Sequence, residues 1–515
     1  MTERFTITIL PDNIQLEGNE GDNLYTLLLV EGVIRPNEPD NDRFRLEKGT
    51  VSPAEHPENE EKVYSPAKLA EGWILAAEHF ISGDAVLNRD PEEEELPQIP
   101  ATPPRQGYGL VYDLGSGTIT VGLTDMRSLQ IPLLTAGRNS QLQLIPDPIA
   151  LWKWAQRTPG GVEKLQELLY YDMDRLAEKV LHRTGIPAQK VQIVCCTGNS
   201  RMMDLLTPGG LGPQGQMGVY TAAELNVLPA LGDRPLYLLP GSSKALGADL
   251  VCSCLAADLQ HKMDQPALTL LIHLGMEGYV VAAGRGRLLA AKVESMPFEG
   301  NGIRCGMPSL TGAITRVEID DDVRLRTVRD ARPKGINGAG LLSAVEALAE
   351  NGFLDAEGHM LQPEDVPEKV AAHLQSGIGG QEFILSFPDQ YVDHPISICQ
   401  EDVLQVQMAK GAVRAVCKAI LHALEARDSD VDMVLLSESY RAHLDPLTLM
   451  KLAMLPSVQP EQVKSIGNSV WQGACICLSD QSILPETEVI ANRIERLDTT
   501  ADRIYAEEFI KGMSF

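Results

Sequence analysis

Two short glycine-rich turns in this chain contain residue types that bind anions and hydrated cations. The first is DLGSGT, in which Asp113 ends an apolar run and a tight turn follows. Glycines leave backbone N–H groups unobstructed, and successive N–H groups form a concavity that suits a phosphate. The predicted phosphate contacts are Gly115, Ser116, Gly117 and Thr118. Asp113 is predicted to hold Mg²⁺, which prefers hard oxygen ligands and keeps several waters. The alternative is an ordinary β-hairpin closed by glycines.

The second turn, HLGMEG at 273–278, has the same form, with Gly275 and Gly278 as predicted anion contacts. A third glycine motif, GINGAG, opens a predicted helix, and a helix N-terminus favours an anion. Its predicted contacts are Gly335, Gly338 and Gly340.

The charge balance limits the class of partner. With 44 basic and 71 acidic residues, the chain of 515 residues has a formal charge of -27. Nucleic acids and anionic membranes attract basic surfaces, so we expect neither as a partner. No apolar run is long enough for a membrane span, and the N-terminus alternates like a strand instead of resembling a signal peptide. We therefore expect a cytoplasmic protein. The alternative interpretation of the acidic composition is that it serves only solubility.

Three parts are predicted to position the turns. Residues 1–89 form a small α+β unit, in which Asp22 caps the first helix and 73–80 supplies a late strand. Residues 90–106, DPEEEELPQIPATPPRQ, are a linker, because charge and proline preclude a packed element. Residues 107–515 follow an α/β pattern in two halves. Buried strands are predicted at 191–196, 268–272 and 431–436, and long helices at 162–183 and 403–426.

The two matched turns, each in its own half, resemble the fold of actin, sugar and acetate kinases and heat-shock chaperones. In that fold, two related α/β domains close around ATP, and two hairpins hold the phosphates. The resemblance implies ATP with Mg²⁺ as the cofactors of the two-lobed domain at 107–515.

A closer resemblance is to one family, the reductive activators of corrinoid-dependent enzymes. It is carried by ordered segments: 197–203 (TGNSRMM), 238–249 (LLPGSSKALGAD), 297–300 (PFEG), 304–307 (RCGM), 312–314 (GAI), 410–414 (KGAVR) and 467–468 (GN). Members join a ferredoxin-like domain to an ATP-binding domain and return an inactivated Co(II) corrinoid protein to Co(I). The resemblance implies a β-grasp ferredoxin-like domain at 1–89, a corrinoid protein of a methyltransferase system as partner, and a homodimer.

The sequence departs from the family at the iron–sulfur cluster. Cluster-bearing relatives use four cysteine thiolates, three in the loop after the first helix and one on the closing strand. Here the loop 34–44 has no cysteine, Ala77 stands at the fourth place, and the first cysteine of the chain is Cys195. We therefore predict no cluster, and a docking or structural role for residues 1–89. An electron carrier that uses another cofactor is the alternative.

The second turn also departs from the fold's usual residues. His273 stands where an Asp is usual, and imidazole is a poorer partner for hydrated Mg²⁺. Glu277 adds a negative charge of undetermined direction. Residues 437–440 (SESY) replace a glycine-rich adenosine turn and are expected to fill part of the nucleotide pocket.

Several other polar residues have both a functional and a structural interpretation. His273 is a general base or a hydrogen-bonded structural residue. Asp249 faces the cleft or the helix surface, and Glu299 contacts a nucleotide or stabilises a turn. The run 320–322 (DDD) is expected to be a solvated turn instead of a cation site. The cysteine pairs 195–196, 252–254 and 475–477 are expected in the core, because neighbours at these spacings do not share a face.

Three hypotheses follow. The first is an activator-like protein that binds a corrinoid protein and controls its reactivation without its own cluster. The second is a small-molecule kinase or ATPase that uses the same cleft. The third is a non-catalytic scaffold derived from an activator.

Overall fold

The computed structural model describes most of the chain. The described residues are 4–10, 14–31, 33–34, 42–54, 59–89, 107–126, 133–207, 215–293, 302–320, 322–366, 371–377, 380–388, 394–438 and 444–515. The predicted linker 90–106 therefore lies outside them.

The N-terminal unit is a mixed five-stranded sheet in the order β2-β1-β5-β3-β4, in which β1 and β5 run parallel. Its elements are β1 (Arg4–Leu10), β2 (Ile14–Asn19), α1 (Leu24–Val30), β3 (Arg43–Pro53), α2 (Glu60–Val63), α3 (Pro66–Ala70), β4 (Trp73–Leu75) and β5 (His79–Arg89). Alternation in β1 buries Ile7 and Ile9 against Leu24 and Leu28 of α1, which explains the period-two pattern of the sequence.

Two predictions for this unit were wrong in detail. The first helix is capped by Asn23, whose side chain accepts from the Thr26 amide at 3.1 Å. Asp22 instead accepts from the Asn19 amide at 2.9 Å and closes the preceding turn. The segment 73–80 is not one strand, because a single 3₁₀ turn, Ala76–Glu78, separates β4 from β5. Ala77 lies in that turn and is exposed.

The next part of the chain forms a six-stranded sheet in the order β10-β11-β9-β6-β7-β8. Its elements are β6 (Tyr108–Leu114), β7 (Thr118–Asp125), β8 (Leu133–Arg138), α4 (Pro148–Arg157), α5 (Gly161–Thr184), β9 (Val191–Gly198), α6 (Ser200–Leu206), β10 (Gly218–Thr221), β11 (Pro235–Leu238), α7 (Ala248–Ala256) and α8 (Leu259–Lys262). The helix α5 and the strand β9 confirm the predictions at 162–183 and 191–196.

The remainder forms a second six-stranded sheet, β22-β21-β12-β13-β14-β23, and two three-stranded sheets, β16-β15-β17 and β18-β19-β20. Its first elements are β12 (Leu268–Leu274), β13 (Gly278–Gly284), β14 (Arg287–Val293), β15 (Ala313–Ile319), β16 (Val323–Thr327), β17 (Gly335–Ile336), α9 (Gly338–Glu350), β18 (Leu374–Gly377), β19 (Gly380–Ser386) and β20 (Ile396–Cys399). They are followed by α10 (Gln400–Ala423), β21 (Val431–Glu438), α11 (Pro446–Lys451), β22 (Val463–Ser465), α12 (Ser469–Ser479), α13 (Leu484–Arg493), β23 (Ile494–Arg496) and α14 (Arg503–Gly512). The predicted strands at 268–272 and 431–436 and the helix at 403–426 are confirmed, the helix starting three residues earlier.

The two large sheets repeat one arrangement. In each, three consecutive strands form an antiparallel meander. A later strand pairs in parallel with the first strand of the meander, and a second later strand pairs in parallel with that one. The strand β6 therefore corresponds to β12, β7 to β13, and β9 to β21. This correspondence pairs Asp113 with His273 and Gly117 with Glu277.

Helices α7 and α12 join the two halves in tight contact. A Cβ on Gly473 of α12 would lie 2.1 Å from the carbonyl oxygen of Cys252 in α7, so only glycine permits this approach. Trp471, two residues earlier in α12, is fully buried against Gly122 of β7. The N-terminal unit contacts the second half through a bridge between Tyr64 and Ala331. Among the described helices, none has the length and apolar character needed to cross a membrane.

Candidate functional site

The two glycine-rich turns close the hairpins β6–β7 and β12–β13 and face a common cleft. In the first turn, the Gly115 amide donates to the Thr118 carbonyl at 3.1 Å. Asn139, which follows β8, fixes the turn from outside: its amide donates to the Gly117 carbonyl at 2.8 Å and its side chain to the Gly115 carbonyl at 3.2 Å. The turn is thus held by the sheet and does not depend on a ligand.

Five of the ten predicted nucleotide contacts line the cleft between the hairpins. They are Asp113, Gly115, Ser116, Thr118 and Gly275. Gly117 and Gly278 belong to the same hairpins but are not part of the lining. Asp249 faces this cleft, so of its two interpretations the cleft-facing one is confirmed.

The third glycine motif is separate from the cleft. Gly335, Gly338 and Gly340 are absent from the cleft lining. Gly335 and Gly340 serve close packing around β17 and α9. A Cβ on Gly340 would lie 2.1 Å from the Ile314 carbonyl oxygen. Asn337 caps α9 and accepts from the Gly340 amide at 2.8 Å, so one N–H group that an anion would use is already bonded.

Glu277 connects the two hairpins. Its Oε1 accepts from the Ser116 hydroxyl at 3.2 Å and from Arg201 Nη1 at 3.1 Å. Its Oε2 accepts from Lys292 Nζ at 3.2 Å. Asn199 Nδ2 donates to Ser116 at 2.9 Å and orients that hydroxyl. We call Ser116, Asn199, Arg201, Glu277 and Lys292 the Glu277 latch.

The Glu277 side chain points toward Ser116, Arg201 and Lys292. Its carboxylate is neutralised by two cations in a partly buried site, where charge-assisted hydrogen bonds are stronger than at the surface. Arg201 and Lys292 were not identified from the sequence. The sequence contains one signal for each residue. Arg201 directly follows TGNS at 197–200, and Lys292 lies in the largely apolar strand β14.

His273 lines the cleft and belongs to a buried hydrogen-bond network. Its Nδ1 lies 2.9 Å from Ser437 Oγ, and its ring stacks on Tyr279 with centroids 4.8 Å apart. Desolvation by burial lowers the pKa of His273 to about 4, so the imidazole is neutral at physiological pH. These contacts favour the structural interpretation of His273.

Three further contacts between hydroxyl groups extend this network, and a fourth contact links it to a backbone carbonyl. Ser437 Oγ lies 2.6 Å from Ser469 Oγ, which donates to Ser253 Oγ at 2.7 Å. Ser253 Oγ lies 2.6 Å from the Tyr279 hydroxyl, which donates to the Asp249 carbonyl at 3.2 Å. The chain of contacts therefore links β12, β21, α12, α7 and β13, and it ties α7 to both sides of the cleft.

Asp249 is the titratable group of the cleft whose pKa is most displaced toward neutrality. Desolvation by burial raises its pKa to about 7, with a smaller contribution from Glu277 and an opposing one from Lys292. A carboxyl that exchanges its proton near pH 7 is suited to general acid–base chemistry.

The predicted adenosine region is only partly described. Ser437 is engaged by His273, and the Glu438 carboxylate accepts from the Leu444 amide at 2.6 Å and from Ser465 Oγ at 2.8 Å. These side chains hold β21 to its neighbours. Residues 439–440 of the predicted SESY replacement lie outside the described residues.

The remaining candidates have structural roles or lie outside the description. Glu299 is not among the described residues. Asp320 pairs with Arg324 beside the β15–β16 turn. Within the described ranges, no group of three His, Cys, Asp or Glu residues has a metal-binding arrangement. Eight of the nine cysteines are buried, and Cys305 is partly exposed.

The cleft has oxygen ligands for a cation but little volume for a nucleotide. Asp113, Thr118 and Asp249 supply oxygen atoms of the kind that hydrated Mg²⁺ prefers. The cavity between the hairpins is about 40 Å³, which holds a few waters but not a triphosphate. In this arrangement the residues fit the cation, and the cavity is too small for the nucleotide.

The residues of the N-terminal unit do not fit a thiolate-bound iron–sulfur cluster. The sequence has no cysteine before Cys195, and the exposed Ala77 contributes only a carbonyl, which accepts from Asn23 Nδ2 at 3.0 Å. The predicted cluster loop lies mostly outside the described residues.

Comparison with known proteins links this geometry to one family. The model "C-terminal domain of RACo the ASKHA domain" matches residues 267–515, and "RACo middle region" matches residues 108–262. The "Corrinoid activation enzyme RamQ" of Eubacterium limosum is 23% identical over 445 residues, which are 84% of this chain and 72% of that protein.

A solved structure supports the fold over nearly the whole length. The "Reductive activator for corrinoid,iron-sulfur protein" superposes with a TM-score of 0.71 at 18% identity and covers 99% of this chain and 98% of that one. The predicted α/β fold, with an actin-like part preceded by a small ferredoxin-like unit, is thereby confirmed, and an ASKHA domain is compatible with ATP and Mg²⁺. The chain belongs to the RACo family, the reductive activators of corrinoid-dependent enzymes.

Proposed function

We propose that this protein binds a corrinoid protein of a methyltransferase system and controls its reactivation without carrying an iron–sulfur cluster. The observation that carries the proposal is the combination of family membership with the absence of any cysteine in residues 1–194. A [2Fe–2S] cluster requires soft sulfur ligands, for which loop amides and carboxylates do not substitute.

In this proposal the N-terminal unit, residues 1–89, serves docking. Its fold is retained while the thiolates are missing, which is expected if the surface of the unit remains useful after electron transfer has been lost. The electron that reduces cobalt would then come from a separate carrier, and this chain would hold the corrinoid protein in a state that accepts it. Residues 90–106 would link the unit to residues 107–515.

The two-lobed part would supply conformational control. The Glu277 latch joins the hairpins that bind phosphates elsewhere in the fold, and its release is required before a triphosphate can enter. We propose that Asp113 then holds Mg²⁺ and that Gly115, Ser116, Gly117, Thr118, Gly275 and Gly278 contact the phosphates. ATP would act by separating the two hairpins. We further propose a cytoplasmic location and a homodimer, which analytical ultracentrifugation tests.

The test is direct binding to a corrinoid protein. The full chain is immobilised, and Co(II) corrinoid proteins from the same organism are passed over it in biolayer interferometry, with the cobalamin-free form as control. We expect saturable binding of the Co(II) form by a colourless protein. Failure to bind any of these corrinoid proteins would overturn the proposal.

A second candidate function is a small-molecule kinase or ATPase. It is favoured by Asp249, which lines the same cleft as Asp113 and whose pKa of about 7 suits a general base. Calorimetric titration with Mg²⁺-ATP and a phosphate-release assay test it. Turnover of ATP that Asp249→Asn abolishes would support this candidate, and absence of both binding and turnover would remove it. A non-catalytic scaffold predicts that neither ATP nor a corrinoid protein binds.

A further inference from the structure

We propose that a second cavity, beside the Glu277 latch, binds small molecules that carry a phosphate group. The cavity is about 430 Å³ and therefore has the size of an ordinary small-molecule site. It shares Glu277 with the hairpin cleft but has a different lining otherwise. The inference is independent of the proposed corrinoid activity.

The lining concentrates positive charge in a strongly acidic protein. Arg201 and Lys244 come from the first half of the molecule, and Lys292 and Arg496 from the second. Only two carboxylates, Glu277 and Asp498, share the cavity with these four cations. Since the chain has a formal charge of -27, a local excess of cations is the reverse of its average composition. Such a cavity attracts anions.

Two of the cations are available to a ligand. Lys244 and Arg496 are exposed at the edge of the cavity, and neither forms a salt bridge with another described residue. Arg496 interacts with Asp498 only through a longer-range charge effect, while the Asp498 carboxylate accepts from the Thr500 amide and hydroxyl at 3.1 and 2.7 Å.

The loop that carries Lys244 is fixed before any ligand binds. Ser200 Oγ donates to the Ser243 carbonyl at 3.2 Å. Ser243 Oγ accepts from the Ala245 and Leu246 amides at 3.3 and 3.1 Å. These bonds hold the backbone on both sides of Lys244, so only its side chain has to be ordered on binding.

The number and kind of donors favour phosphate. A phosphate group has close to two negative charges and three strongly accepting oxygens, and a guanidinium binds it with two parallel hydrogen bonds. The cavity supplies two guanidinium groups, two ammonium groups and the hydroxyl of Thr499. Because the cations come from both halves of the molecule, a phosphate at this site would bridge them.

The ligand would compete with the latch. Arg201 and Lys292 are the two cations that neutralise Glu277. A phosphate that draws on either cation weakens its hold on Glu277, and Glu277 in turn weakens phosphate binding. This competition distinguishes the proposed site from a nonspecific basic patch.

The test is calorimetric titration of the full chain with inorganic pyrophosphate and inorganic phosphate, at low ionic strength and without magnesium. We expect saturable binding that Lys244→Ala and Arg496→Ala each weaken about tenfold, the usual loss for one charged contact. Neither residue lines the hairpin cleft, so these variants separate the two sites. Lys153→Ala, which removes one exposed cation elsewhere, should change nothing.

Glu277→Gln and citrate complete the test. Glu277→Gln should tighten pyrophosphate binding, because Arg201 and Lys292 are released. Absence of saturable heat with both phosphate probes, or unchanged affinity in the Lys244→Ala/Arg496→Ala double variant, would overturn the proposal. Tighter binding of citrate than of pyrophosphate would overturn the assignment to phosphate.

Discussion

The Ser116 hydroxyl donates to the Glu277 carboxylate at 3.2 Å and joins two hairpins that are 161 residues apart in the sequence. By the repeat of the two sheets, Glu277 stands where the first hairpin has Gly117. The first hairpin therefore has a glycine turn that is open to an anion. The second hairpin has the Glu277 carboxylate at the matching position. The carboxylate lies between the two hairpins that are proposed to contact the phosphates, so we expect this contact to control access to the cleft.

Glu277→Gln should open the cleft. The neutral amide keeps the volume but loses the charge attraction to Arg201 and Lys292, which is about 1–3 kcal/mol for hydrogen bonds of charged groups. We expect faster amide hydrogen exchange at 115–118 and 275–278 and tighter binding of Mg²⁺-ATP than in the parent chain. Exchange measured by mass spectrometry and calorimetry check this.

Glu461→Gln is the matched control, because it removes one exposed carboxylate that has no ionic partner among the described residues. If both variants exchange and bind alike, the latch does not govern the cleft.

His273 should make stability depend on acidity in a defined window. Its pKa is about 4 when folded and about 6.5 when unfolded, so the unfolded chain takes up the proton first. The free energy of unfolding should fall as the pH decreases from about 6.5 to about 4, by about 3 kcal/mol from this residue. Urea titrations across the window should show a shallower pH slope for His273→Asn. The exposed His422→Asn should keep the parent slope, and equal slopes in all three proteins would refute the assignment.

Gly473→Ala should destabilise the contact between α7 and α12. The new methyl group would lie 2.1 Å from the Cys252 carbonyl oxygen, and such overpacking costs about 1–3 kcal/mol. Gly185→Ala provides the comparison, because Gly185 has a φ of 66° and no atom near its missing Cβ. Its cost should be only the left-handed backbone strain of about 1–2 kcal/mol. Urea unfolding measures both, and a Gly473→Ala chain as stable as the parent would show that the helices do not touch as described.

Anaerobic reconstitution with iron and sulfide should yield far less than two iron atoms per chain. The N-terminal unit has no thiolate, and the buried cysteines of the later part are inaccessible in the folded protein. Iron and acid-labile sulfide analysis, with the visible spectrum, checks this. A brown protein with stoichiometric sulfide and a reversible redox signal would contradict the loss of the cluster.

The sequence predicted the parts that follow from local pattern. The buried runs at β9, β12 and β21 and the helices α5 and α10 carry unambiguous periodicity, and the two matched turns indicated a duplicated fold. The boundary errors have local causes. Asn23 caps the helix, and Asp22 instead accepts a hydrogen bond from the Asn19 amide. Residue spacing alone does not reveal which of the two side chains forms the cap. The 3₁₀ turn at Ala76–Glu78 interrupts an otherwise strand-like apolar run.

The site was less predictable because its chemistry is assembled from distant segments. The direction of Glu277 depends on Arg201 and Lys292, which lie 76 and 15 residues away along the chain. Likewise, the GINGAG motif is typical of an anion-binding helix start, but Gly335 of β17 and Gly340 of α9 serve close packing. Composition alone does not separate these two uses of glycine.

The contact between Gly473 and Cys252 limits how the two lobes can move. Val470 and Asp249 line the cleft near the first turns of α12 and α7, and the close contact lies about one helical turn, roughly 5 Å, further along both helices. This close backbone contact opposes sliding of one helix along the other but permits a small rotation. We therefore expect the two lobes to rotate about this point. The displacement that a rotation produces increases with distance from the rotation axis. We therefore expect that a partner bound at the outer edges of the lobes would shift the hairpins relative to each other.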